Sequence, residues 1–509
     1  MRLVGAAEMR AIDEAAIAGL GIPGMELMER AGAAVARAAA ELAPRGRVVA
    51  CCGAGNNGGD GWVAARILWQ AGRDVVACAL VPREALRGDA LRAREAAERA
   101  GVPVRALARA EEVEAQAGDV VVDAVFGTGL SRPPEGLAAA VIDRVAALRR
   151  DGARVLSVDV PSGLSADTGR PLGTCVQADR TVTFGFWKRG LVLFPGAALA
   201  GGVSVADIGI PPEAAARVPV ACELLDEGEA RALVPPRPPD AHKGDAGRLL
   251  VVAGSPGKSG AAHLALAGAL RGGAGLVTLA AREEVLPLAL AGRPEAMSLP
   301  LPGHGPLGRA DLAPLLEAAR AADALVVGPG IPRGPETAAL LRDLLEGARL
   351  PAVLDADALN ALAPPGPGLA GLPAPAVATP HPGEMARLCG LPVAEVQGDR
   401  IGLAAARARD WGCAVVLKGS RTVVADPWGP PAVIPVGNAG MATGGTGDVL
   451  AGLAGALLAA GLDARAAGRA AAWVHGRAGD LAAARSGQRG LLASDLAEAL
   501  GAVWLAWGR

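Results

Sequence analysis

The first half of the chain alternates between short apolar runs and longer stretches with helical spacing of their apolar residues. Runs rich in valine, alanine and cysteine occupy 47–52, 74–81, 119–125 and 154–160. Glycine and then a helical pattern follow several of them, most clearly after 52, where "GWVAARILWQAG" begins at 61. Such alternation is typical of βαβ units on a parallel sheet.

The second half repeats this pattern with its own strands. Apolar runs recur near 247–255, 275–281, 323–330, 351–360 and 413–427, too many in all for one ordinary sheet. Proline and polar residues concentrate between 212 and 240. We therefore predict two α/β domains, with a linker and domain start at 213–240.

Composition narrows the classes of partner. The 50 basic and 52 acidic residues nearly cancel, and neither sign forms a long block. This balance argues against a nucleic-acid-binding face. Aromatic residues make up 2% of the chain, which weakens any interpretation based on base stacking. Small molecules are the expected partners.

The cysteines and the apolar segments indicate a soluble cytoplasmic protein. Seven cysteines occur without CxxC or His/Cys clusters, which fits neither a disulfide framework nor a zinc site. The N-terminus lacks the apolar region of a signal peptide. The longest uncharged stretch, 358–383, carries seven prolines and cannot be a membrane helix.

A glycine-rich loop at 52–66, "CGAGNNGGDGWVAAR", follows a strand and opens a helix. Its glycines would let backbone N–H groups approach an anion, but the spacing fits neither GxGxxG nor a Walker loop. The simpler interpretation is a tight turn in which Asp60 caps the helix. Because Asn56, Asn57 and Asp60 all carry oxygen, we predict ligands for a sugar, a phosphate or a cation.

Two further strand ends carry carboxylates. Asp123 precedes "FGTGLSRP" at 126–133, and Asp159 lies three residues before Ser162. A lone Asp at a strand end is usually a cap or turn former, but burial there can also perturb its pKa and suit it to proton transfer. Oxygen ligands from Asn, Asp and Ser suit an alkali or alkaline-earth cation rather than zinc.

These segments, "GAGNNGGDGWVAAR", "DAVFGTGL" and "VDVPSGLSADTG", resemble the signatures of the NAD(P)H-hydrate epimerase domain over residues 1–212. The resemblance implies a Rossmann-like αβα sandwich with Asp159 as the acid/base candidate. It implies a potassium ion bound by Asn57, Asp123 and Ser162. The implied hydrate-binding residues are Asn56, Asn57, Gly58, Gly59, Asp60, Gly127, Thr128, Gly129, Leu130, Ser131, Arg132, Pro133 and Asp159.

The C-terminal half has its own glycine-rich loop, "GNAGMATGGTGDVLAG" at 437–452. Gly444, Gly445 and Gly447 would free the backbone to wrap an anion at the start of a helix. Asp448 at that terminus should be ionised, which suits a general base acting on a hydroxyl that attacks a phosphoryl group. Alternatively, Asp448 merely caps the helix.

Three other segments could complete a nucleotide site. The stretch 415–427 predicts a hairpin that places Lys418 near phosphates, although such a Lys is usually solvated. His381 lies between two prolines before a helix, where it is either a functional imidazole or a turn residue. Two carboxylates at 354–360 could meet magnesium that carries phosphates, or could simply form a turn.

Together with "GKSGAAHLALAGALRGGAGLVT", these segments resemble the ADP-dependent NAD(P)H-hydrate dehydratase, a relative of the ribokinase-like kinases, over residues 225–509. The resemblance implies that ADP is a co-substrate and that Asp448 is catalytic. It implies a hydrate site formed by Ala261, Gly330, His381 and Asp448. The implied nucleotide-binding residues are Lys418, Gly419, Ser420, Arg421, Thr422 and Gly447.

The two resemblances imply one repair process for hydrated NADH and NADPH. The N-terminal domain would interconvert the R and S hydrates, and the C-terminal domain would dehydrate the S form, giving AMP and phosphate. The alternative is a ribokinase-like small-molecule kinase with a non-catalytic N-terminal nucleotide-binding module. The expected partners are small-molecule substrates and further copies of the chain in a homo-oligomer, with no nucleic acid and no membrane.

Overall fold

The computed structural model describes residues 1–332, 334 and 336–509 of the chain. These residues divide into two compact units. The N-terminal unit is Arg2–Ala221, and the C-terminal unit is Cys222–Arg509 together with Met1. Each unit consists of a largely parallel sheet with helices between its strands, so the predicted α/β fold class is confirmed.

The N-terminal unit begins with a short strand and two helices before its main sheet. Its strands are β1 (Leu3–Val4), β2 (Val48–Cys52), β3 (Val75–Ala79), β4 (Val104–Ala106), β5 (Val120–Ala124), β6 (Arg154–Val158), β7 (Arg180–Phe184), β8 (Trp187–Lys188) and β9 (Gly202–Ala206). Its helices are α1 (Ala6–Leu20), α2 (Gly24–Leu42), α3 (Asn56–Gln70), α4 (Gly88–Arg99), α5 (Gly136–Arg150), α6 (Arg189–Val192), α7 (Gly196–Leu199) and α8 (Pro212–Ala216).

The main sheet of this unit has seven parallel strands among the described residues, in the order β4-β3-β2-β5-β6-β7-β9. Every residue of β2, β3 and β5 is buried. Helices cover both faces of such a sheet, which is why these strands are uniformly apolar rather than alternating. The order brings the carboxyl ends of β2, β5 and β6 side by side.

The C-terminal unit contains longer helices and a larger sheet. Its strands are β10 (Glu223–Leu224), β11 (Arg248–Val252), β12 (Leu276–Arg282), β13 (Ala296–Leu301), β14 (Ala324–Val327), β15 (Ala352–Leu354), β16 (Ala376–Ala378), β17 (Ala414–Leu417), β18 (Val423–Ala425) and β19 (Ala432–Val433). Its helices are α9 (Glu227–Ala232), α10 (Ser259–Arg271), α11 (Leu286–Leu290), α12 (Leu312–Ala319), α13 (Thr337–Ala348), α14 (Asp357–Leu362), α15 (Pro382–Cys389), α16 (Val393–Gly398), α17 (Arg400–Trp411), α18 (Thr446–Ala459), α19 (Ala464–Gly490) and α20 (Ala493–Trp507).

The strand order in this unit is β10-β19-β18-β17-β16-β15-β14-β11-β12-β13. Strands β17 and β18 pair antiparallel and confirm the predicted hairpin. Helix α18 is almost entirely buried and lies against α10, where a Cβ at Gly452 would be 1.9 Å from the carbonyl oxygen of Ala265. This close approach fixes how α18 packs against α10.

In the part of the chain that the structure describes, no helix has both the length and the apolar character needed to cross a membrane.

Candidate active sites

A cavity of about 610 Å³ lies in the N-terminal unit at the carboxyl ends of its central strands. This edge of an open parallel sheet is where ligands bind in such folds. Ten of the predicted hydrate-binding residues line it: Asn56, Asn57, Asp60, Gly127, Thr128, Gly129, Leu130, Ser131, Arg132 and Asp159.

The remaining three predicted residues do not line the cavity. A Cβ at Gly58 would be 2.1 Å from the carbonyl oxygen of Gly53, and one at Gly59 would be 2.5 Å from Cε of Met28. These two glycines therefore allow α3 to pack closely. Pro133 lies beyond the lining residues of its loop.

Helix α3 begins at Asn56, which is too early for Asp60 to be its N-cap. Its N-cap is Gly55, and Asp60 lies within the helix with its side chain toward the cavity. Asp60 is 8% exposed. The interpretation of Asp60 as a helix cap is wrong, because the asparagines and glycines at 56–59 already form the first turn.

Asp159 follows β6 directly and is held by four donors. Its carboxylate accepts hydrogen bonds from the Thr183 hydroxyl (3.0 Å), the backbone N–H of Thr128 (3.1 Å) and the Thr128 hydroxyl, and pairs with Lys188 Nζ at 2.8 Å. Burial alone would raise the pKa of Asp159, but Lys188 and these hydrogen bonds lower it overall. Asp159 is therefore a carboxylate base at neutral pH.

Asp123 and Ser162 lie together beneath the cavity. Asp123 is completely buried and accepts hydrogen bonds from the Ser157 hydroxyl (2.8 Å), from the Ser162 backbone N–H (2.9 Å) and from the Ser162 hydroxyl. Burial raises the pKa of Asp123, and these hydrogen bonds offset part of the rise. Asn57, the third predicted cation ligand, lies against Gly127, where a Cβ would be 2.6 Å from its Oδ1.

This donor set suits an alkali or alkaline-earth cation. Asn57, Asp123 and Ser162 offer only oxygen ligands, which hard cations prefer. Ion pairs in the described residues do not include Asp123, so a cation would be its only full positive neighbour. Potassium fits this chemistry better than a transition metal does.

Lys188 and Asp13 also line the cavity, although sequence reasoning missed both. Lys188 is 1% exposed and donates a hydrogen bond to the carbonyl of Phe184 at 2.7 Å. In the sequence, Lys188 stands next to Arg189 and looks like a solvated charge. Asp13 lies on α1 between the buried residues Ile12 and Ala16. A polar residue on the apolar face of a helix is the sequence feature that could have identified it.

In the C-terminal unit, Asp448 lies in the first turn of α18. The N-cap of this helix is Gly445, whose φ of 94° favours glycine, and no side chain caps the helix. The interpretation of Asp448 as a mere cap is therefore not supported. His475, which is buried and kept neutral by a pKa of about 4, lies with Nε2 2.8 Å from the carbonyl oxygen of Thr446.

The expectation that the helix terminus keeps Asp448 fully ionised is wrong. Burial raises its pKa to about 7, and the neighbouring carboxylates of Asp355, Glu384 and Asp357 add to the rise, while Lys418 opposes it. The partial charge of one helix end is worth less than these effects. Asp448 is therefore a base whose protonation changes near neutral pH.

Lys418 is the charged centre of this site rather than a solvated residue. Its side chain is 18% exposed, and its Nζ lies 2.6 Å from Oδ1 of Asp355 and 3.9 Å from Oε2 of Glu384. Burial alone would lower the pKa of Lys418, but these carboxylates raise it overall. A Cβ at Gly447 would be 3.1 Å from Nζ, so the glycine loop lies directly beside this cation.

The turn between β17 and β18 holds the other predicted nucleotide-binding residues. Gly419 and Ser420 are exposed, and Arg421 has a φ of 59°. The Thr422 hydroxyl donates to the carbonyl of Gly419 at 3.1 Å. This turn presents backbone groups to solvent beside Lys418.

His381 caps a helix. This agrees with the alternative interpretation of His381 as a hydrogen-bonded turn residue. It is the N-cap of α15, and its Nδ1 accepts a hydrogen bond from the backbone N–H of Gly383 at 3.0 Å. Its Nε2 lies 3.4 Å from Glu384. Burial, with Lys418 and Arg387 nearby, lowers the pKa of His381, so it is neutral at physiological pH.

Ala261 and Gly330 lie against each other where the first turn of α10 meets the loop after β14. A Cβ at Gly330 would be 2.9 Å from the Cβ of Ala261. Lys258, the N-cap of α10, pairs with Asp357 at 2.9 Å. The structure thus brings two of the predicted hydrate-binding residues together and places a cation beside them.

In the described residues, no three His, Cys, Asp or Glu side chains come close enough to hold a metal ion between them. One oxygen of Asp355 is nevertheless buried without a hydrogen-bond partner. Magnesium that keeps its waters and phosphates needs only one or two protein carboxylates. Asp355 and Asp357 fit such a limited role.

Two family models match the chain in sequence. Residues 24–190 match the model described as the YjeF-related protein N-terminus. Residues 249–501 match the model described as NAD(P)H-hydrate dehydratase. Each match lies within one structural unit and includes the residues predicted for its site, although Asp13 and other residues of α1 that line the N-terminal cavity lie outside the first match.

Similar proteins include a relative that matches nearly the whole chain and solved structures that match about half of it. The bifunctional NAD(P)H-hydrate repair enzyme of Moorella thermoacetica is 44% identical over 98% of this chain and 96% of its own. A ribokinase-like superfamily protein from Enterococcus faecalis is 26% identical, with a TM-score of 0.50 over 56% of this chain and 96% of its own. The Bacillus subtilis ADP/ATP-dependent NAD(P)H-hydrate dehydratase, co-crystallized with ATP/Mg²⁺, is 33% identical, with a TM-score of 0.49 over 56% of this chain and 98% of its own.

Proposed function

The chain belongs to the family of bifunctional NAD(P)H-hydrate repair enzymes, and we propose that each of its units carries one step of the repair. The N-terminal unit interconverts the R and S hydrates of NADH and NADPH. The C-terminal unit dehydrates the S hydrate with ADP and releases NAD(P)H, AMP and phosphate. The likeness extends over both units, which favours this function over a kinase with a non-catalytic N-terminal module.

The epimerase step uses the cavity of the N-terminal unit. The loops at 56–60 and 127–133 bind the hydrated nucleotide, and Asp159 exchanges a proton with it. Lys188 supports this role, because it keeps Asp159 ionised and fixes its orientation. An ionised carboxylate within a largely apolar cavity is a suitable general base.

Potassium belongs to this site in our proposal. Asn57, Asp123 and Ser162 would hold the ion, which supplies positive charge next to the phosphate-binding loops. We expect epimerisation to slow when potassium is replaced by a large organic cation, while dehydration is unchanged. Equal loss of both activities would contradict this assignment.

The dehydratase step starts at Asp448. The hydrate carries a hydroxyl group on C6 of its nicotinamide ring. Hydroxide is a poor leaving group and phosphate is a good one, so this C6 hydroxyl is first phosphorylated. Asp448 takes the hydroxyl proton as the oxygen attacks the β-phosphorus of ADP, and the bond to the bridging oxygen breaks to release AMP. The ring nitrogen then expels phosphate to give an iminium ion, and loss of a proton from C5 restores the dihydronicotinamide ring of NAD(P)H.

Charge developing on the transferred group is met by the start of α18. The backbone of the loop that contains Gly447 and the Nζ of Lys418 lie together at this point, and such groups stabilise a phosphoryl transition state. Residues 418–422 bind the nucleotide phosphates. Ala261, Gly330 and His381 bind the hydrate.

Magnesium accompanies the nucleotide in this proposal. Asp355 and Asp357 are the residues that would hold it through its waters. When bound, the ion neutralises charge on the phosphates of ADP. Asp355 is already paired with Lys418, so the metal and this lysine act on the same phosphates.

Beyond the reaction itself, we propose that the protein works in the cytoplasm as a homo-oligomer. The cysteine pattern supports a reducing compartment. Large apolar side chains on the C-terminal unit are well exposed, among them Leu505 (81%) and Leu288 (67%). Sedimentation of the purified protein tests the oligomeric state, and a monomer at micromolar concentration would contradict it.

One observation carries the proposal: Asp448, with a raised pKa, faces Lys418 at the start of a helix opened by glycines. The test is to incubate the purified protein with (S)-NADH hydrate, ADP and magnesium, and to follow the absorbance of reduced nicotinamide. We expect its return together with stoichiometric AMP and phosphate. A stable phosphorylated product would instead indicate a kinase.

A further inference from the structure

Two carboxyl groups in the N-terminal cavity have no acid–base role in the function described so far. Asp13 projects from α1 and Asp60 from α3, and both line the cavity of about 610 Å³. Asp60 is 8% exposed, and Asp13 is partly buried. The cavity wall around them contains the apolar side chains of Met9, Leu27, Met28, Ala31 and Phe184.

Neither carboxylate has a partner. Among residues 1–332, 334 and 336–509, no hydrogen bond or ion pair is formed by the carboxyl group of Asp13 or Asp60. Asp159 in the same cavity accepts hydrogen bonds from Thr128 and Thr183 and pairs with Lys188. The carboxyl groups of Asp13 and Asp60 face the cavity without a partner among the described residues, so they are available to a bound molecule.

The charged side chains around the cavity pair with some of its carboxyl groups and not with others. The charged or titratable side chains that line it are Arg10, Asp13, Asp60, Asp89, Arg132, Asp159 and Lys188. Lys188 pairs with Asp159, and Asp89 with Arg92 at 3.1 Å. Asp13 and Asp60 form no ion pair in the described residues, although the charge of Lys188 partly offsets the rise in the pKa of both.

Burial raises the pKa of both groups. The pKa of Asp13 rises to about 6, which leaves it mostly ionised at neutral pH. The pKa of Asp60 rises well above its usual range, first through burial and then through the charges of Asp159 and Asp13. Asp60 and Asp13, in one cavity, thus both hold a proton more tightly than an ordinary aspartate does, a property that suits proton donation.

We propose that Asp60 is the proton donor for epimerisation and that Asp13 is the positioning residue that keeps Asp60 protonated. This inference rests on the proposed epimerase function and adds a second acid–base group opposite in role to Asp159. It assigns a function to Asp13, on the N-terminal helix.

The chemistry balances without any redox partner. Asp60 gives its proton to the C6 hydroxyl, and the C6–O bond breaks with its electron pair so that water leaves. The lone pair of the ring nitrogen forms the C=N bond of an iminium ion. A water molecule then adds to the other face of C6, and Asp159 takes one of its protons. The turnover leaves Asp60 ionised and Asp159 protonated, and proton exchange with solvent returns both groups to their starting states, so no net proton is consumed.

The test uses the full-length protein with pure (R)-NADH hydrate and without ADP, so that dehydration does not occur. Formation of the S epimer is followed by chromatography over roughly pH 5.5 to 9, from below the pKa of Asp13 to well above it. In Asp60→Asn, we expect kcat to fall at least about 100-fold with KM changed less than about threefold. In Asp13→Asn, we expect the alkaline limb of the pH profile to move down by about one unit, because one negative neighbour is lost.

Three comparisons complete the design. Asp13→Glu restores the charge and should return the alkaline limb towards its wild-type position. The double variant Asp13→Asn/Asp60→Asn should be at most about threefold slower than Asp60→Asn alone, because both substitutions act on the same proton. Glu14→Gln, an exposed neighbour on the same helix, should leave the wild-type profile unchanged.

Each outcome decides the inference. An unchanged alkaline limb in Asp13→Asn, substantial activity in Asp60→Asn, or additive losses in the double variant would overturn it. If wild-type protein does not interconvert the epimers, the proposed epimerase function itself fails. Circular dichroism melting of each variant distinguishes loss of folding from loss of the proton donor, and Asp13→Glu keeps the test decisive if Asp13→Asn unfolds.

Discussion

Two carboxyl groups, Asp159 and Asp448, have pKa values that are shifted in opposite directions in this protein. Asp159 has four donors, one of them the buried Lys188, so its pKa is lowered, whereas Asp448 faces more carboxylates than cations, so its pKa is raised to about 7. The difference arises from neighbours rather than from burial itself. Each residue is thereby suited to a different proton transfer.

The pH dependence of dehydration follows from the pKa of Asp448. A base must be ionised, and a raised pKa means that the ionised fraction is lost as pH falls through about 7. We expect kcat/KM for (S)-NADH hydrate to fall about tenfold per pH unit below this value. Steady-state assays at saturating ADP and magnesium from pH 5.5 to 8.5 (about 1.5 units on either side) measure it. A flat profile would rule out titration of the base in this range.

Replacement of the base itself gives the complementary prediction. In Asp448→Asn, we expect dehydration to slow roughly 100-fold to 10,000-fold, because an amide cannot accept the hydroxyl proton. Epimerisation in the same chain should be unchanged and serves as the control. Retained ADP-dependent turnover in this variant would contradict the assignment.

Lys188 provides a test of the epimerase base. In Lys188→Met, burial is no longer offset by a cation, so the pKa of Asp159 should rise. The acid limb of the epimerase pH profile should therefore move to higher pH. The matched control is Lys243→Met, which removes an exposed lysine. An acid limb that stays in place would show that Lys188 does not govern Asp159.

Some of these residues could be identified from the sequence, and others could not. Strand ends followed by glycine loops indicate Asp123, Asp159 and Asp448, because strand ends are readable from apolar runs. The ionisation of Asp448 depends on Asp355 and Glu384, which come from distant segments. Lys188 and Asp13 have no glycine-rich context, and only the tertiary fold reveals that they line the cavity.

At the level of elements, the strands that were predicted are those buried on both faces. Continuous valine and alanine runs identify β2, β5 and β14 directly. The edge strand β13 contains a proline and exposed residues, so its pattern is not that of a buried strand. The order of strands also escapes local analysis, because pairing joins segments that are far apart in sequence.

Glycines at the start of α3 have a packing role that yields a prediction. A Cβ at Gly58 would lie 2.1 Å from the backbone oxygen of Gly53, which cannot move away as a side chain could. In Gly58→Ala, we expect the free energy of unfolding of this unit to fall by about 1–3 kcal/mol. Urea unfolding followed by hydrogen exchange of the 53–70 segment measures the loss.

A neighbouring glycine supplies the control for this prediction. A Cβ at Gly55 would meet no atom within 4 Å, and its φ of −92° is open to any residue. Gly55→Ala should therefore change stability by less than about 0.5 kcal/mol. If both variants lost the same stability, the close approach of α3 to its loop would not be the cause.

At the scale of the whole molecule, one chain combines two reactions with different requirements. Epimerisation needs no nucleotide co-substrate, whereas dehydration consumes ADP. The dehydratase accepts one epimer, so a chain with only that activity would leave the R hydrate unrepaired. The fusion gives both activities in equal amounts, which suits substrates that form as mixtures.

Complementation between variants tests whether the two steps are chemically independent. Given a mixture of R and S hydrates with ADP, we expect the wild-type protein to restore all reduced nicotinamide. Asp159→Asn should restore only the S fraction before spontaneous epimerisation intervenes, and Asp448→Asn should restore almost none. A mixture of the two variants should regain complete recovery, because each retains one intact site and the S hydrate is a stable molecule that can diffuse between chains. Recovery limited to the S fraction in that mixture would mean that the S hydrate made by one chain does not reach the dehydratase site of another.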